Sequence, residues 1–201
     1  TLDWIEAEIG FDCFVKPANL GSSVGISKAH NRAELEAGLH EAARYDRKLV
    51  VEKAIDAREI EVSVLGNDEP VASMPGEILP SNEFYDYSAK YLDGESEVLI
   101  PAPIPSQTTD LIRKMAVEAY LAIDCAGMAR ADFLWERTTG QVYINELKTL
   151  PGFTPISLYP QVWAASGVTY PELIERLLEL ALERHADKAR SATFYQTPEE
   201  A

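Results

Sequence analysis

The sequence predicts an α+β fold, in which runs of β-strands are interrupted by a few helices. Seven segments place β-branched or aromatic residues between turn signals, and three longer segments repeat apolar residues at helical spacing. Several strands follow one another before a helix appears, which differs from the strict alternation that builds a parallel sheet. The chain has 201 residues, 46% of them hydrophobic, so it can bury a core in one large or two small domains.

The predicted strands follow a short opening segment, TLDWIEAEIGFD, that is typical of the end of a helix leading into a strand. β-Branched and aromatic residues between Gly, Pro, Asn and Asp punctuation define each strand. Strands are predicted at 13–16, 49–53, 60–65, 71–79, 97–100, 128–135 and 141–147.

Three helices separate these strands. Asn31, with Glu34 three residues later, is typical of an N-terminal cap. The segment 109–123 repeats small and apolar residues at helical spacing, and Thr169 with Glu172 predicts the cap of a last helix. Leucines at every third or fourth position in that last helix predict that one of its faces is buried.

A domain boundary is predicted near Gly66, in the strand-rich middle of the chain. The first lobe is then 1–66 and the second 67–185, followed by a tail at 186–201. Residues 81–96, SNEFYDYSAKYLDGES, form a long polar and aromatic segment without periodicity. A loop of that length inside a compact domain is typical of a lid over a binding site.

The charge argues against two classes of partner. A formal net charge of -15 disfavours nucleic acid and anionic membranes, because polyanions are bound mainly through Lys and Arg. A small anionic ligand needs only a few well-placed lysines. Cys13 and Cys125 match no metal-ligand spacing, which predicts reduced thiols in a cytoplasmic protein. The chain begins at Thr1 without an initiating Met, and we expect it to be a piece of a longer protein.

The segment RADFLWERTTGQVYINELK predicts a hairpin that brings two acids together. Residues 138–140 form a three-residue loop, with Gly140 where a positive φ is required. The cross-strand pairs that follow are Arg137 with Gln141, Leu134 with Ile144, Asp132 with Glu146, and Arg130 with Lys148.

Two directly opposed carboxylates would lie roughly 5 Å apart and repel each other unless a cation lies between them. Oxygen ligands without a nearby His or Cys favour Mg²⁺ over zinc. A register slip that separates the acids on a solvated face is the alternative, and the hairpin alone leaves both open.

Two further segments carry groups suited to a nucleotide. In FVKPANLGSSVGISK, Lys16 ends an apolar strand, and the turn that contains Ser22 and Ser23 offers backbone N–H groups and hydroxyls to a phosphate. A plain Gly/Ser hairpin turn explains that segment nearly as well. In LVVEKAIDAREIEVSVLG, Glu52 and Lys53 close one strand, and Glu59 and Glu61 open the next. These could contact a base and a ribose, or form the charged rim of a hairpin.

Together these segments resemble the ATP-grasp superfamily, and more narrowly the D-alanine–D-alanine ligases. The stretches VKPANLGSSVGISK, VEKAIDAREIEVSVLG, FYDYSAKY, GMARADF and INELKTLPGFTPISLYP stand in family order, and the resemblance covers about 11–182. It implies two α+β lobes whose antiparallel sheets sandwich ATP. The family's N-terminal domain would precede Thr1.

The resemblance implies roles at matching positions. For ATP it implies phosphate contacts from Lys16, Lys53, Ser22 and Ser23, adenine contacts from Glu52, Ile55 and Phe84, a ribose contact from Glu59, and Lys90 at the γ-phosphate. For catalysis and substrates it implies Arg130 and the Gly152 N–H at an oxyanion, Ser22 in the glycine-rich loop that covers the phosphates, Tyr91 sealing the substrate site, and Ser157 with Leu158 at the second substrate's carboxylate. It implies that Asp132 and Glu146 hold Mg²⁺ or Mn²⁺, whereas Lys148 stands where the family pattern has Asn.

The implied reaction joins two D-alanines for peptidoglycan synthesis. One carboxylate attacks the γ-phosphate of ATP to give an acyl phosphate and ADP, and the amine of the second D-alanine then displaces phosphate. The resemblance also implies a cytoplasmic homodimer. Because part of the first-substrate site would lie in the N-terminal domain, we expect these 201 residues alone to bind Mg-ATP without making dipeptide. A ligase that uses D-lactate or D-serine and a non-catalytic ATP-binding fragment are the alternatives.

Overall fold

A computed structural model describes residues 1–79, 97–154 and 156–192 of the chain. They divide into two compact units, which are described separately. The first unit contains 1–57 and the short segment 136–139, and the second contains 58–78, 98–135 and the residues from 140 onwards.

The first unit packs two helices on a three-stranded antiparallel sheet. Its elements are α1 (Leu2–Glu8), β1 (Cys13–Pro17), β2 (Ser27–Ala29), α2 (Arg32–Ala42) and β3 (Leu49–Lys53), with β1 in the middle of the sheet. Alternate β1 residues point into the core, which is why Cys13 and Val15 are fully buried. They pack with Leu35 and Ala42 of α2.

The second unit is built on a six-stranded sheet. Its strands are β4 (Ala57–Gly66), β5 (Val71–Ala72), β6 (Gly76–Leu79), β7 (Glu97–Leu99), β8 (Gly127–Glu136) and β9 (Val142–Lys148). The order is β7-β6-β4-β8-β9, with β5 also paired to β4. Its helices are α3 (Ser106–Ala122), α4 (Leu158–Ala165) and α5 (Tyr170–Ala189).

One side of this sheet faces the main core. Ile60 and Val62 of β4 pack with Ala131 and Phe133 of β8, and α3 covers them. Tyr120 of α3 is fully buried, and its hydroxyl donates a hydrogen bond of 2.7 Å to the Gly66 carbonyl. Because side chains alternate along a strand, the residues between these apolar positions point to the other side.

The predicted α+β class is confirmed, and so are most of the predicted elements. The strands predicted at 13–16 and 49–53 and the three helices are present. The single strand predicted at 71–79 is wrong: the structure has two short strands, β5 and β6, separated at residues 73–75. Pro75 has no N–H to donate to a ladder, which explains the break. Two short elements, β2 and α4, were not predicted.

The boundary between the units differs from the predicted one. The first unit ends at Ala57 rather than near Gly66, because β4 pairs with β5 and β6 and so belongs to the second sheet. The predicted tail also begins later than residue 186, since α5 continues to Ala189. The predicted lid at 81–96 lies outside the described residues.

The predicted cap of α2 is confirmed. Asn31 Oδ1 accepts a hydrogen bond of 3.0 Å from the Glu34 N–H, and Glu34 in turn accepts from the backbone of His30. We expect Asn31→Ala to lower the free energy of unfolding by about 1 kcal/mol, because a first-turn N–H loses its acceptor. Urea denaturation followed by circular dichroism measures this loss. Glu36→Ala, at an exposed position of the same helix, is the control and should change stability by less than about 0.5 kcal/mol.

Within the described part of the chain, no helix is both long enough and apolar enough to cross a lipid bilayer.

Candidate functional site

Three neighbouring strands of the second unit carry charged side chains on one side of the sheet. We call this set the charged face, and its members are Glu59 and Glu61 of β4, Arg130 and Asp132 of β8, and Glu146 and Lys148 of β9. Each pair is two residues apart on its strand, so its members point to the same side. Arg130 lies opposite Lys148 and Asp132 lies opposite Glu146, as predicted from the hairpin.

The hairpin register itself differs from the prediction at the turn end. Leu134 pairs with Tyr143 rather than with Ile144, so the register next to the turn is shifted by one residue from the predicted one. An irregularity between Asp132 and Phe133 then restores the predicted pairing, because β9 advances by two residues, from Ile144 to Glu146, where β8 moves by one. The pairing of Asp132 with Glu146 was therefore predicted correctly, although the pairing of the residues between these acids and the turn was not.

Arg130 is the centre of the charged face. Its Nε and Nη2 donate to the two carboxylate oxygens of Asp132, both at 2.6 Å. Glu61 Oε2 lies 2.9 Å from the same Nε. That nitrogen carries one hydrogen, which already points to Asp132. Accordingly, Glu61 Oε2 is buried and has no hydrogen-bond partner among the residues that the structure describes.

Burial makes the two acids that contact Arg130 difficult to ionise. Loss of water contact, and then the charge of Asp132, raise the pKa of Glu61 to about 8. Burial also raises the pKa of Asp132, against the opposing effect of Arg130. Burial alone would lower the pKa of Arg130, but its hydrogen bond to Asp132 and the charge of Glu61 outweigh this, so the net direction is upward. Such a site favours an additional cation, which would stabilise both carboxylates in their charged form.

Lys148 supplies positive charge but no metal ligand. Its Nζ lies 3.3 Å from Glu146 Oε1, and both side chains are partly exposed. Among the described residues, no group of three or more His, Cys, Asp or Glu side chains is arranged to hold a metal ion. The opposed carboxylates of Asp132 and Glu146 nevertheless fit Mg²⁺, which usually takes one or two protein carboxylates and completes its shell with water and phosphate oxygens. The residues therefore fit one ion.

In the first unit, the predicted phosphate-binding lysines lie on different sides of the sheet. Lys16 forms an ion pair with Glu52 at 2.6 Å, as a diagonal pair across β1 and β3. Lys16 lies opposite Val50, whereas Lys53 lies opposite Cys13, so strand alternation directs the two lysines to opposite sides. Lys53 is exposed at the end of β3. The structure thus brings Lys16 and Glu52 together, and does not bring Lys53 to them.

The turn after β1 has an unusual backbone. Ser22 and Ser23 both have positive φ, 55° and 60°, and the Val24 N–H donates to the Gly21 carbonyl. Two central residues of positive φ are the pattern of a type I′ turn, which usually takes Gly or Asn there. Serines held in this conformation are typical of a functional loop, because the strain must be offset by the surrounding structure.

The loop after β9 carries the predicted substrate-binding residues. Ser157 directly precedes α4, and its Oγ accepts a hydrogen bond of 3.1 Å from the Thr154 N–H. A Cβ on Gly152 would lie 3.0 Å from Ser157 Oγ, so a larger residue would crowd that hydroxyl. Leu158 is the first residue of α4 and is buried. The N–H groups of Leu158 and Tyr159 in the first turn of this helix suit a carboxylate.

Three of the predicted site residues belong to the segment that the structure does not describe. Phe84, Lys90 and Tyr91 lie outside the described residues, and the half-buried Ile55 has no contact that decides its role. Glu61 was noted beside Glu59 at the start of its strand, but no role of its own was predicted for it.

A second buried ion pair lies on the same sheet and was not predicted. Arg58 donates to both carboxylate oxygens of Glu77, each at 2.5 Å. Its guanidinium lies 4.8 Å from the centre of the Trp135 ring and also donates to the Pro103 carbonyl. Nothing in the sequence pattern pairs residues 58 and 77, because their contact depends on the register of β4 with β6.

The family model described as D-ala D-ala ligase C-terminus matches residues 1–179. The chain belongs to the D-alanine–D-alanine ligase family. A relative named D-alanine–D-alanine ligase in Heliobacterium modesticaldum is 59% identical over 192 residues, which is 96% of this chain and 52% of that protein. One of the same name in Geobacillus kaustophilus is 56% identical over 186 residues, covering 92% of this chain and 50% of the relative. The chain thus spans about half the length of the curated relatives it matches.

Solved structures of this family have the same fold. The D-alanine–D-alanine ligase from Coxiella burnetii matches with a TM-score of 0.82 and 36% identity, over 94% of this chain and 50% of that chain. A D-Ala:D-Ser ligase from Enterococcus faecalis matches with a TM-score of 0.81 and 34% identity, over 89% and 52% of the two chains. The predicted ATP-grasp architecture is therefore confirmed as the fold of this chain.

Proposed function

We propose that this chain is the ATP-binding and acyl-transfer part of a ligase that joins two D-alanines with hydrolysis of ATP to ADP and phosphate. The observation that carries the proposal is the charged face, on which Arg130 and the opposed acids Asp132 and Glu146 lie together. Family membership supports the proposal, and the geometry supplies the groups that the chemistry requires.

The first unit is proposed to bind nucleotide. Lys16 is the penultimate residue of β1, and the strained turn at Ser22 and Ser23 follows a few residues later in the chain. The backbone N–H groups and hydroxyls of that turn suit phosphate oxygens. The ion pair of Lys16 with Glu52 orients the ammonium without burying it, since its side chain is 24% exposed. Lys53 is exposed at the end of β3, and its long side chain is proposed to reach the phosphates from there. Ile55 is proposed to contact the base.

The charged face is proposed to act on the phosphoryl and acyl groups. Mg²⁺ bound by Asp132 and Glu146 would neutralise phosphate charge during transfer of the γ-phosphoryl group. Arg130 would donate to the oxyanion that forms when the amine attacks the acyl phosphate, and the Gly152 N–H would be a second donor. The guanidinium suits this role because its carboxylate partners already hold it in place.

The loop before α4 is proposed to bind the carboxylate of the second D-alanine. Ser157 and the N–H of Leu158 lie at the helix start, where the helix dipole favours negative charge. Following the resemblance, Phe84 is proposed to contact the adenine, Lys90 the γ-phosphate, and Tyr91 to help seal the substrate site. Keeping water from the acyl phosphate prevents its hydrolysis.

Two assays test the proposal. The chain as it stands should bind Mg-ATP in calorimetry. For activity, it should replace the matching 192-residue segment of the Heliobacterium relative, and this chimera should form ADP only when D-alanine is present. No D-alanine-dependent ADP from a folded chimera that still binds ATP would contradict the ligase proposal and favour a non-catalytic nucleotide-binding role.

Glu59 provides a residue-level test of the nucleotide site. It is proposed to accept hydrogen bonds from the ribose hydroxyls, so Glu59→Ala should weaken ATP binding about fivefold, the effect of losing one modest hydrogen bond. Calorimetry with Mg-ATP and with Mg-triphosphate separates the two parts of the ligand. The substitution should leave triphosphate affinity nearly unchanged, and an equal loss for both ligands would contradict a ribose contact.

The structural comparison makes D-serine a second candidate for the acceptor substrate. The similarity to a D-Ala:D-Ser ligase is almost as high as that to the Coxiella enzyme, with TM-scores of 0.81 and 0.82. The identity of the curated relatives, 59% for the Heliobacterium protein, favours D-alanine. Product analysis of the chimera with equal D-alanine, D-serine and D-lactate decides this, and we expect the D-alanine dipeptide to dominate.

The setting proposed for this ligase is the bacterial cytoplasm, where ATP is available and cysteine thiols stay reduced. Cys13 and Cys125 are both free cysteines, as this setting requires. A homodimer is proposed for the whole enzyme, and sedimentation of the chimera tests it.

A further inference from the structure

We propose that Glu61 is a positioning residue. When a divalent cation binds to the charged face, Glu61 replaces Asp132 as the acceptor of the hydrogen bond from Arg130 Nε. This inference rests on the proposed function only for the identity of the metal site. It assigns a specific task to a residue for which the family resemblance implied no role, namely to keep the guanidinium bound while Asp132 becomes a metal ligand.

The first step is the competition for Asp132. Both of its carboxylate oxygens accept hydrogen bonds from Arg130 at 2.6 Å, and the side chain is only 12% exposed. A carboxylate has about four lone-pair sites, and the bidentate pair with Arg130 uses two of them. Mg²⁺ on a remaining site would withdraw negative charge from the same oxygens and so weaken both hydrogen bonds to Arg130.

The second step is what the released donor would contact. Arg130 is only 17% exposed, and a buried N–H without an acceptor is costly. Glu61 Oε2 lies 2.9 Å from Nε, is buried, and has no hydrogen-bond partner among the described residues. It lacks one because the single Nε hydrogen points to Asp132. A small rotation of the guanidinium would transfer that hydrogen bond from Asp132 to Glu61.

The third step is the rigidity of the arrangement. Glu61 is on β4, paired with Gly76 of β6, and its neighbours Ile60 and Val62 are fully buried. Its backbone is therefore fixed by the sheet on both sides. The acceptor stays in place while the metal site changes, so Arg130 remains directed towards the charged face in both states.

A matched pair of substitutions tests the transfer. Glu61→Gln keeps the size of the side chain but replaces the carboxylate. Arg130→Lys keeps the cation but provides three ammonium hydrogens, so Asp132 and Glu61 no longer compete for one. Mg²⁺ affinity of the 201-residue chain is measured by competition with Mn²⁺, using the electron paramagnetic resonance signal of free Mn²⁺.

We expect Glu61→Gln to weaken Mg²⁺ binding about fivefold to tenfold in the native background, because a neutral amide oxygen accepts from the guanidinium more weakly than a carboxylate does. In the Arg130→Lys background the same substitution should have a clearly smaller effect, which reports only its loss of charge. An equal loss of Mg²⁺ affinity in both backgrounds would overturn the proposal, because Glu61 would then act only through its charge and not as a hydrogen-bond acceptor.

A spectroscopic readout follows the donor itself. The Arg130 Nε–H resonance, identified by its loss in Arg130→Lys, should move on addition of Mg²⁺ and stay protected from solvent exchange. In Glu61→Gln the same addition should make it exchange faster than in the native chain, because the amide oxygen is a weaker acceptor. If Mg²⁺ leaves the resonance unchanged in the native chain, the transfer does not occur, whatever the nucleotide assays show. Thermal unfolding of each variant verifies folding, and Glu61→Asp, which keeps charge but shortens the reach, should behave like Glu61→Gln.

Discussion

Arg130→Lys is expected to lower the turnover of the chimeric ligase by about 100-fold or more, with little change in ATP affinity. Removal of one preorganised donor to an oxyanion typically costs a factor of about 100 to 1,000. Lysine keeps the charge but cannot reproduce the two parallel hydrogen bonds that Arg130 makes to Asp132 at 2.6 Å. Initial rates of D-alanine-dependent ADP release, with ATP affinity measured in parallel, test this expectation.

The control for this experiment is Arg58→Lys. Arg58 also makes a buried bidentate pair, to Glu77, on the same sheet, but no proposed catalytic role is assigned to it. Both substitutions should lower thermal stability, whereas only Arg130→Lys should lower turnover per folded molecule. A turnover for Arg130→Lys within threefold of the native chimera would contradict the oxyanion role.

Lys148→Asn is expected to tighten the Mg²⁺ dependence of the chimera on the order of tenfold to thirtyfold and to raise its turnover. In the structure Lys148 Nζ is 3.3 Å from Glu146, as expected from its place two residues along the strand. An ammonium at this distance neutralises a carboxylate that a metal would otherwise use. At about 4 Å the attraction is about 1 kcal/mol in water and about 4 kcal/mol at an effective dielectric constant of 20, and partial exposure puts this pair near the lower value.

The substitution also provides an oxygen. Asn carries a neutral amide oxygen that can coordinate Mg²⁺, whereas Lys has only donors. Lys114→Asn, on an exposed lysine of α3, is the control and should leave the Mg²⁺ titration unchanged. If Lys148→Asn also leaves both turnover and the titration unaltered, Lys148 is a solvated charge at the end of a strand and not part of the metal site.

Local patterns were enough to predict much of the secondary structure and the acid pair. Asn31 and Thr169 mark helix starts because capping is a local hydrogen bond to the third residue onward, and both caps form. The hairpin placed Asp132 opposite Glu146 because a short turn limits the available registers. Its error at the turn end, where Leu134 pairs with Tyr143, arose because a bulge cannot be recognised from hydrophobic alternation alone.

The nucleotide-binding segments were identified by resemblance, and their geometry needed the fold. The sequence places Lys16 and Lys53 at the ends of two strands, which suggested that both could reach the same phosphates. The observed register of β1 with β3 directs them to opposite sides, and only strand pairing could decide that.

By itself the sequence determined the α+β class, the capped helices, the family and the identity of the charged residues, because each depends on residue type and spacing along the chain. Tertiary structure decided which charges meet. Glu61 and Arg130 are far apart in sequence, and Arg58 finds Glu77 only through the pairing of β4 with β6. Such contacts depend on strand order and burial, which also raise the pKa of Glu61 to about 8. No local pattern contains that information, since the same acid on an exposed strand would remain fully solvated.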